Sequence, residues 1–170
     1  ICPFCEKFFN CKPWNNPVAK ETVFESLSLM GSMGTIAQTP GSDADFWAII
    51  NKKKLDSHKV KLLEQRCREI EEWAMEKRNV EVHLFLTDIN DAQRNNFGTS
   101  DEESCGTAQA KMLKEEFYRT VLVMSGKKPL WWLIPLGMKE REVKKFKELA
   151  QMGLQDYDDY VDLGHIESIS

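Results

Sequence analysis

Asp43 and Asp45 stand at the head of a segment that alternates cleanly, with Ala44, Phe46, Ala48 and Ile50 on one side and Asp43, Asp45, Trp47 and Ile49 on the other. That period of two is the signature of a strand. Residues two apart on a strand share a face, with α-carbons about 6.5–7 Å apart, so both carboxylates can converge on the same divalent cations. Without a cation they would repel each other and resist burial. Hard oxygen ligands beside a phosphate-bearing substrate suit Mg²⁺. Just upstream, Met30-Gly31-Ser32 opens a loop that also holds Gly34 and Gly41. Gly31 removes a side chain where backbone N–H groups could approach a phosphate, and Ser32 adds a hydroxyl donor. A third carboxylate would complete a two-metal site for in-line displacement at phosphorus. Glu81, between Val80 and Val82, is the candidate, and Asp88 is the weaker one. The plain alternative for an Asp-x-Asp pair is a solvated turn, and for Glu81 a solvent-facing strand residue.

Other side chains admit two readings each. Arg119 has the planar fork that matches phosphate, or it pairs with Glu115 or Glu116; Glu116 could orient it. Lys127 and Lys128 could neutralise a triphosphate or simply be solvated. Trp47, on the aspartate face, could stack on a base or pack in the core. His83 should share the face of Glu81, where a lone strand histidine is usually just hydrogen-bonded. Cys2, Cys5 and Cys11 resemble half a zinc ribbon, although a full site needs four ligands; free thiols are the alternative.

These groups need elements to position them. Residues 18–30 read as a helix running into a short strand, 31–42 as a loop and 43–50 as a strand. The clearest helix is 57–78, with Val60, Leu63, Cys67, Ile70 and Ala74 at helical spacing, a cap at Asp56 or Ser57, and Asn79 as its stop. Residues 80–87 read as a second strand, 90–106 as an exposed loop and 107–124 as a helix with Ala110, Leu113, Phe117, Val121 and Met124 on one face. Leu130–Ile134 looks like a strand and 139–152 like a helix ending before Gly153. Strands alternating with helices give an α/β or α+β class, with residues 1–17 as a cysteine-containing N-terminal segment and 18–170 as one domain. The chain of 170 residues suits a single core. Its net charge of −4 argues against a nucleic-acid coat or a polybasic membrane binder. No apolar run nears the roughly 20 residues that span a bilayer. An odd set of five cysteines fits a reducing cytoplasm better than a disulfide framework. The start at Ile1 suggests a fragment.

Gly31-Ser32 followed by Asp43-x-Asp45 resembles the signature of the polymerase-β-type nucleotidyltransferase superfamily. A narrower likeness extends further. Leu29-Met30-Gly31-Ser32 with Ser42-Asp43-Ala44-Asp45-Phe46-Trp47 is similar to the active-site segment of the class I adenylate cyclases. Glu72-Trp73-Ala74, Val80-Glu81-Val82, Glu103-Ser104-Cys105-Gly106-Thr107, Glu116-Phe117-Tyr118-Arg119-Thr120 and Asp162-Leu163-Gly164 follow in family order. The resemblance implies a nucleotidyltransferase-like mixed sheet flanked by helices, with ATP cyclised to 3′,5′-cyclic AMP and pyrophosphate. It implies Asp43 and Asp45 as holders of Mg²⁺, Glu81 as the third acid, and Gly31, Ser32 and Ser42 on the triphosphate. The same metal chemistry would serve transfer of a nucleotide to another acceptor, and a non-catalytic nucleotide-binding module is the third possibility. The family's catalytic region continues past Ser170, so a domain cut short at its C-terminus is expected.

Overall fold

A computed structural model of the chain describes residues 23–33, 35–96, 108–135 and 137–165. Its frame is a four-stranded mixed sheet built from β1 (Phe24–Met30), β2 (Ala44–Ile50), β3 (Val82–Asp88) and β4 (Leu122–Gly126). The order is β3-β2-β1-β4. β1 runs antiparallel to both β2 and β4, and β2 runs parallel to β3. A parallel pair needs a long crossover, and α1 (Ser57–Arg78) supplies it.

α1 has the limits its sequence dictates. The Asp56 carboxylate accepts from Lys59 N–H at 2.8 Å and so caps the first turn. Asn79 takes the left-handed conformation at φ 52° and closes the last turn. Cys67 and Ala74 are its buried residues, and both are small enough to let the helix lie close to the sheet. β3 is an edge strand with outward N–H groups that need partners; Glu71 of α1 accepts from Leu84 N–H at 2.6 Å.

The opposite face of the sheet is covered by α3 (Ala108–Thr120), which follows the short α2 (Ile89–Gln93). Phe117, Tyr118 and Val121 pack there with Met30, Trp47 and Ile49, and Ala92, Val161 and Leu163 close the cluster. Trp47 stacks on Phe117 with centroids 4.4 Å apart, and Tyr118 stacks on Trp131 at 5.0 Å. Beyond β4, a two-stranded parallel sheet joins β5 (Lys128–Pro129) to β6 (Tyr160–Val161), with α4 (Glu140–Gly153) between them. No helix among the described residues is long and apolar enough to cross a membrane.

The strand expected at the end of 18–30 runs from Phe24 onward, while residues 18–22, at the start of the expected helix, lie outside the described residues. The structure corrects three expectations. The helix expected over 107–124 ends at Thr120, and Leu122–Gly126 pairs with β1 instead. Leu130–Leu133 is a 3₁₀ turn rather than a strand. The loop expected from residue 90 begins as the helical turn α2. The α+β reading with a mixed sheet and flanking helices holds. The segment 1–17 and its boundary lie outside the described residues.

Candidate active site

β1 ends where β2 and β3 begin, because β1 is antiparallel to β2 while β3 is parallel to it. Register brings Met30 opposite Asp45, and Asp45 opposite His83. One end of three adjacent strands therefore presents the Gly31 turn, the aspartate pair and the start of β3 together.

Gly31 adopts φ +85°, a left-handed conformation suited to glycine. A Cβ added there would lie 3.5 Å from Oδ2 of Asp45, so the turn passes directly over that carboxylate. The Gly31 N–H donates to Oγ1 of Thr120 at 3.0 Å, which ties the turn to the end of α3. Ser32 donates its hydroxyl to that of Ser42 at 3.0 Å, and Ser42 Oγ also accepts from Thr39 N–H at 2.9 Å. The two serines thus pin both ends of the loop beside the aspartates.

Asp43 is exposed, while Asp45 and His83 are half-buried. Each of the three offers a ligand atom, and these atoms all lie within 4.8 Å of one another. Burial is the largest influence on Asp45 and pushes its carboxyl above the usual range; the Asp43 charge adds to this, His83 opposes it, and Glu116 and Glu81 add smaller increments. This is a pocket of negative charge that a cation would relieve. The donor set fits one. Ligands about 2.1 Å from a shared small cation sit roughly 3–4 Å apart, which half-exposed side chains reach by small rotamer changes.

The expected site residues divide into two groups. Gly31, Ser32, Ser42, Asp43 and Asp45 come together. Glu81 lies beside them, exposed and just before β3, with Oε1 3.3 Å from Nε2 of His83. Arg119 is 73% exposed and pairs with Glu115 at 2.6 Å, not with Glu116. Two residues are placed elsewhere. Trp47 is 2% exposed, with its ring stacked on Phe117, so it belongs to the core and not to a base-stacking surface. Lys127 meets Glu25 at 2.9 Å, and Lys54 meets the same carboxylate at 2.6 Å. Glu25 is at the far end of β1 from Gly31, about 16–20 Å away at strand rise, so Lys127 cannot reach the aspartates. Asp88, the weaker acid candidate, is buried at the other end of β3 and accepts from Lys52 N–H at 2.7 Å and from Asn90 N–H at 3.0 Å. Cys2, Cys5 and Cys11, and any zinc they hold, lie outside the described residues.

Sequence reasoning underrated three neighbours: His83, Glu116 and Thr120. His83 was placed on the face of Glu81 but not beside Asp45, because strand register is not written in either strand alone. Glu116 and Thr120, four apart on α3, share the helix edge that meets this end of the sheet.

Comparison with known proteins adds to this geometry. The model of the adenylate cyclase N-terminal domain family matches residues 3–132. The adenylate cyclase of Escherichia coli is 33% identical over 155 residues, which are 91% of this chain and 18% of that protein. The adenylate cyclase of Yersinia pestis is 32% identical over 161 residues, covering 92% of this chain and 19% of its own length. The chain therefore spans less than a fifth of these curated relatives. Among solved structures, a spectinomycin adenyltransferase from Enterococcus faecialis, crystallised with ATP and spectinomycin, aligns with 79% of this chain and 60% of its own at a TM-score of 0.44 and 15% identity.

Proposed function

Because the chain belongs to the adenylate cyclase N-terminal domain family, we propose that its sheet-end site converts ATP to 3′,5′-cyclic AMP and pyrophosphate. The observation that supports this most is the convergence of Asp43 and Asp45 under the Gly31 turn. A retired site has no reason to keep a half-buried Asp45 beside a second, repelling acid at Asp43.

In this reading Asp43 and Asp45 hold Mg²⁺, with a third donor from the start of β3, where Glu81 and His83 sit. Magnesium there would neutralise the triphosphate and make the ribose 3′-hydroxyl a better nucleophile. The chain's own groups do the positioning. The Ser32 and Ser42 hydroxyls, now bonded to each other, can turn to phosphate oxygens, and the Gly31 N–H can exchange Thr120 for one. Arg119, on the exposed edge of α3, can leave Glu115 for a phosphate at small cost, since an exposed pair is worth about 0–1 kcal/mol. The 3′-hydroxyl gives its proton to solvent water and its oxygen bonds to the α-phosphorus; the bond from that phosphorus to the bridging oxygen breaks, and pyrophosphate leaves with the electron pair. The catalytic contribution is alignment and charge stabilisation. The runner-up is transfer of the adenylyl group to another acceptor, which uses the same groups.

Incubation of the full protein with ATP and Mg²⁺, with the products resolved, tests the reading. Cyclic AMP and pyrophosphate are expected; adenylyl transfer to an added acceptor without cyclic product would favour the runner-up. Loss of a metal-holding carboxylate should cost several kcal/mol of barrier, hence about a hundred-fold or more in rate. Asp45→Asn should therefore abolish measurable turnover with far-UV circular dichroism unchanged. Full activity in that variant would sink the site assignment.

A further inference from the structure

We propose that His83, not Glu81, supplies the third donor to the cation held by Asp43 and Asp45, with Glu81 fixing the imidazole, and that this nitrogen makes the site prefer manganese(II) to magnesium. The proposal rests on the reading of the aspartate pair as a cation site. Its basis is register. Asp45 and His83 are direct partners on parallel neighbours, 45 against 83, and such strands lie about 4.8 Å apart. Both side chains therefore project from the same face at the same level. Asp43, Asp45 and His83 bring ligand atoms within 4.8 Å of one another, a spacing that Glu81 does not share. Glu81 is one step further out, where its carbonyl accepts from Ala44 N–H at 2.9 Å and its carboxylate meets Nε2 of His83 at 3.3 Å.

A metal-bound histidine commonly donates its second ring N–H to a carboxylate, which fixes the ring and raises its basicity. Glu81 stands where that carboxylate is needed. Magnesium favours oxygen donors and gives up its waters reluctantly. Manganese(II) takes carboxylate oxygen as magnesium does, but as a softer transition ion it also gains from an imidazole nitrogen, which magnesium scarcely does. Two carboxylates and one imidazole therefore accept Mg²⁺ but hold Mn²⁺ more tightly.

The test is Mn²⁺ titration of the full protein, followed by electron paramagnetic resonance, with Mg²⁺ affinity measured by displacement of Mn²⁺. Electron spin-echo envelope modulation should report a directly bound nitrogen in the wild type. His83→Gln should erase that signal and weaken Mn²⁺ binding about 10–100-fold, with Mg²⁺ affinity altered less than about threefold. Glu81→Gln should weaken Mn²⁺ about tenfold, the cost of losing an outer partner, while the nitrogen signal persists. A wild type without bound nitrogen, or a His83→Gln protein that keeps its Mn²⁺ affinity, overturns the proposal; loss of both cations in Glu81→Gln would then identify the glutamate as donor. Asp45→Asn separates the two readings. If it removes Mn²⁺ binding while His83→Gln does not, only this inference fails. If it binds Mn²⁺ as the wild type does, the cation site itself is misplaced.

Discussion

Gly31 shows how little room a single residue leaves at this site. Space does not forbid a side chain there, since an added Cβ would make an ordinary 3.5 Å contact with Oδ2 of Asp45. Backbone conformation does: φ +85° costs a residue with a Cβ about 1–2 kcal/mol. Gly31→Ala can relax only by moving the turn, which is bonded to Thr120 and borders Asp45. The variant should lose about 1–2 kcal/mol of stability in urea titration and show a raised KM for ATP. Unchanged KM alongside reduced stability would mean that the turn does not meet the triphosphate. Trp47 and Lys127 teach the opposite lesson. An aromatic on the aspartate face and a lysine after a glycine are residue types that bind nucleotides, yet Phe117 covers the first and Glu25 engages the second. Burial outside the sheet end, and charge partners from distant strands, are not visible in residue type.

At the scale of elements, the site is a consequence of the β2–α1–β3 crossover, and aspartates pin the start of its helix and the end of its last strand. Asp56 caps α1. Asp88 ends β3, caps α2 and receives Lys52 N–H from beyond β2. Burial opposes ionisation of Asp88, but bonds from Asn90 and Lys52 outweigh it and hold the carboxyl below its ordinary value. Asp88→Ala orphans those donors at about 1–3 kcal/mol for a buried group. Because Asp88 is at the far end of β3, the loss should appear as a lower denaturation midpoint, with cation affinity at the aspartate pair unchanged; a fall in that affinity would show that β3 register depends on this cap. The same unit explains what was legible. α1 was readable to its last residue because its caps and its apolar spacing agree. The alternation of β2 placed the aspartates correctly on the face opposite Ala44 and Ala48. Past Thr120 the reading failed because Val121 and Met124 continue the spacing of Phe117, and only pairing with β1, formed through residues nearly a hundred positions earlier, makes 122–126 a strand. The register at the start of β3 was hidden for a related reason. Which of Glu81 and His83 faces Asp45 depends on a parallel register set across a 22-residue helix, and no local pattern encodes it.

Across the molecule, the side of the sheet that carries the site is closed by a buried lysine. Lys114 of α3 is 1% exposed; its Nζ donates to the Ala92 carbonyl at 2.9 Å and to Oδ1 of Asn95 at 3.0 Å. Gly164 lies against it at φ +91°, where a Cβ would come within 2.6 Å of that nitrogen, and Tyr118 donates its hydroxyl to the Gly164 carbonyl at 2.9 Å. Three segments far apart in sequence thus meet at one ammonium group. Burial lowers its pKa from 10.5 to about 8; Asp162 works against the shift and Lys147 adds to it. The sign of the linkage follows. Below about pH 8 the lysine is charged in both states, and the folded state bears the full cost of burying the charge. Between about 8 and 10.5 the folded protein has released the proton while the unfolded chain still binds it, so stability rises with pH. Above 10.5 both are neutral and the cost is gone. At 1.36 kcal/mol per pKa unit the rise is on the order of 3 kcal/mol. Three other groups act in reverse. Burial raises the Cys67 thiol and the Tyr118 and Tyr157 phenols, so each removes stability as pH passes its ordinary value of 9.0 or 10.0. The clean measurement is therefore a difference. Urea unfolding of wild type and Lys114→Met across pH 7–10.5 should show the variant losing the lysine's upward contribution while it keeps the downward ones. Parallel pH profiles for the two proteins would mean that the ammonium is solvated in the folded state, and that the segment around Gly164 does not seal this face.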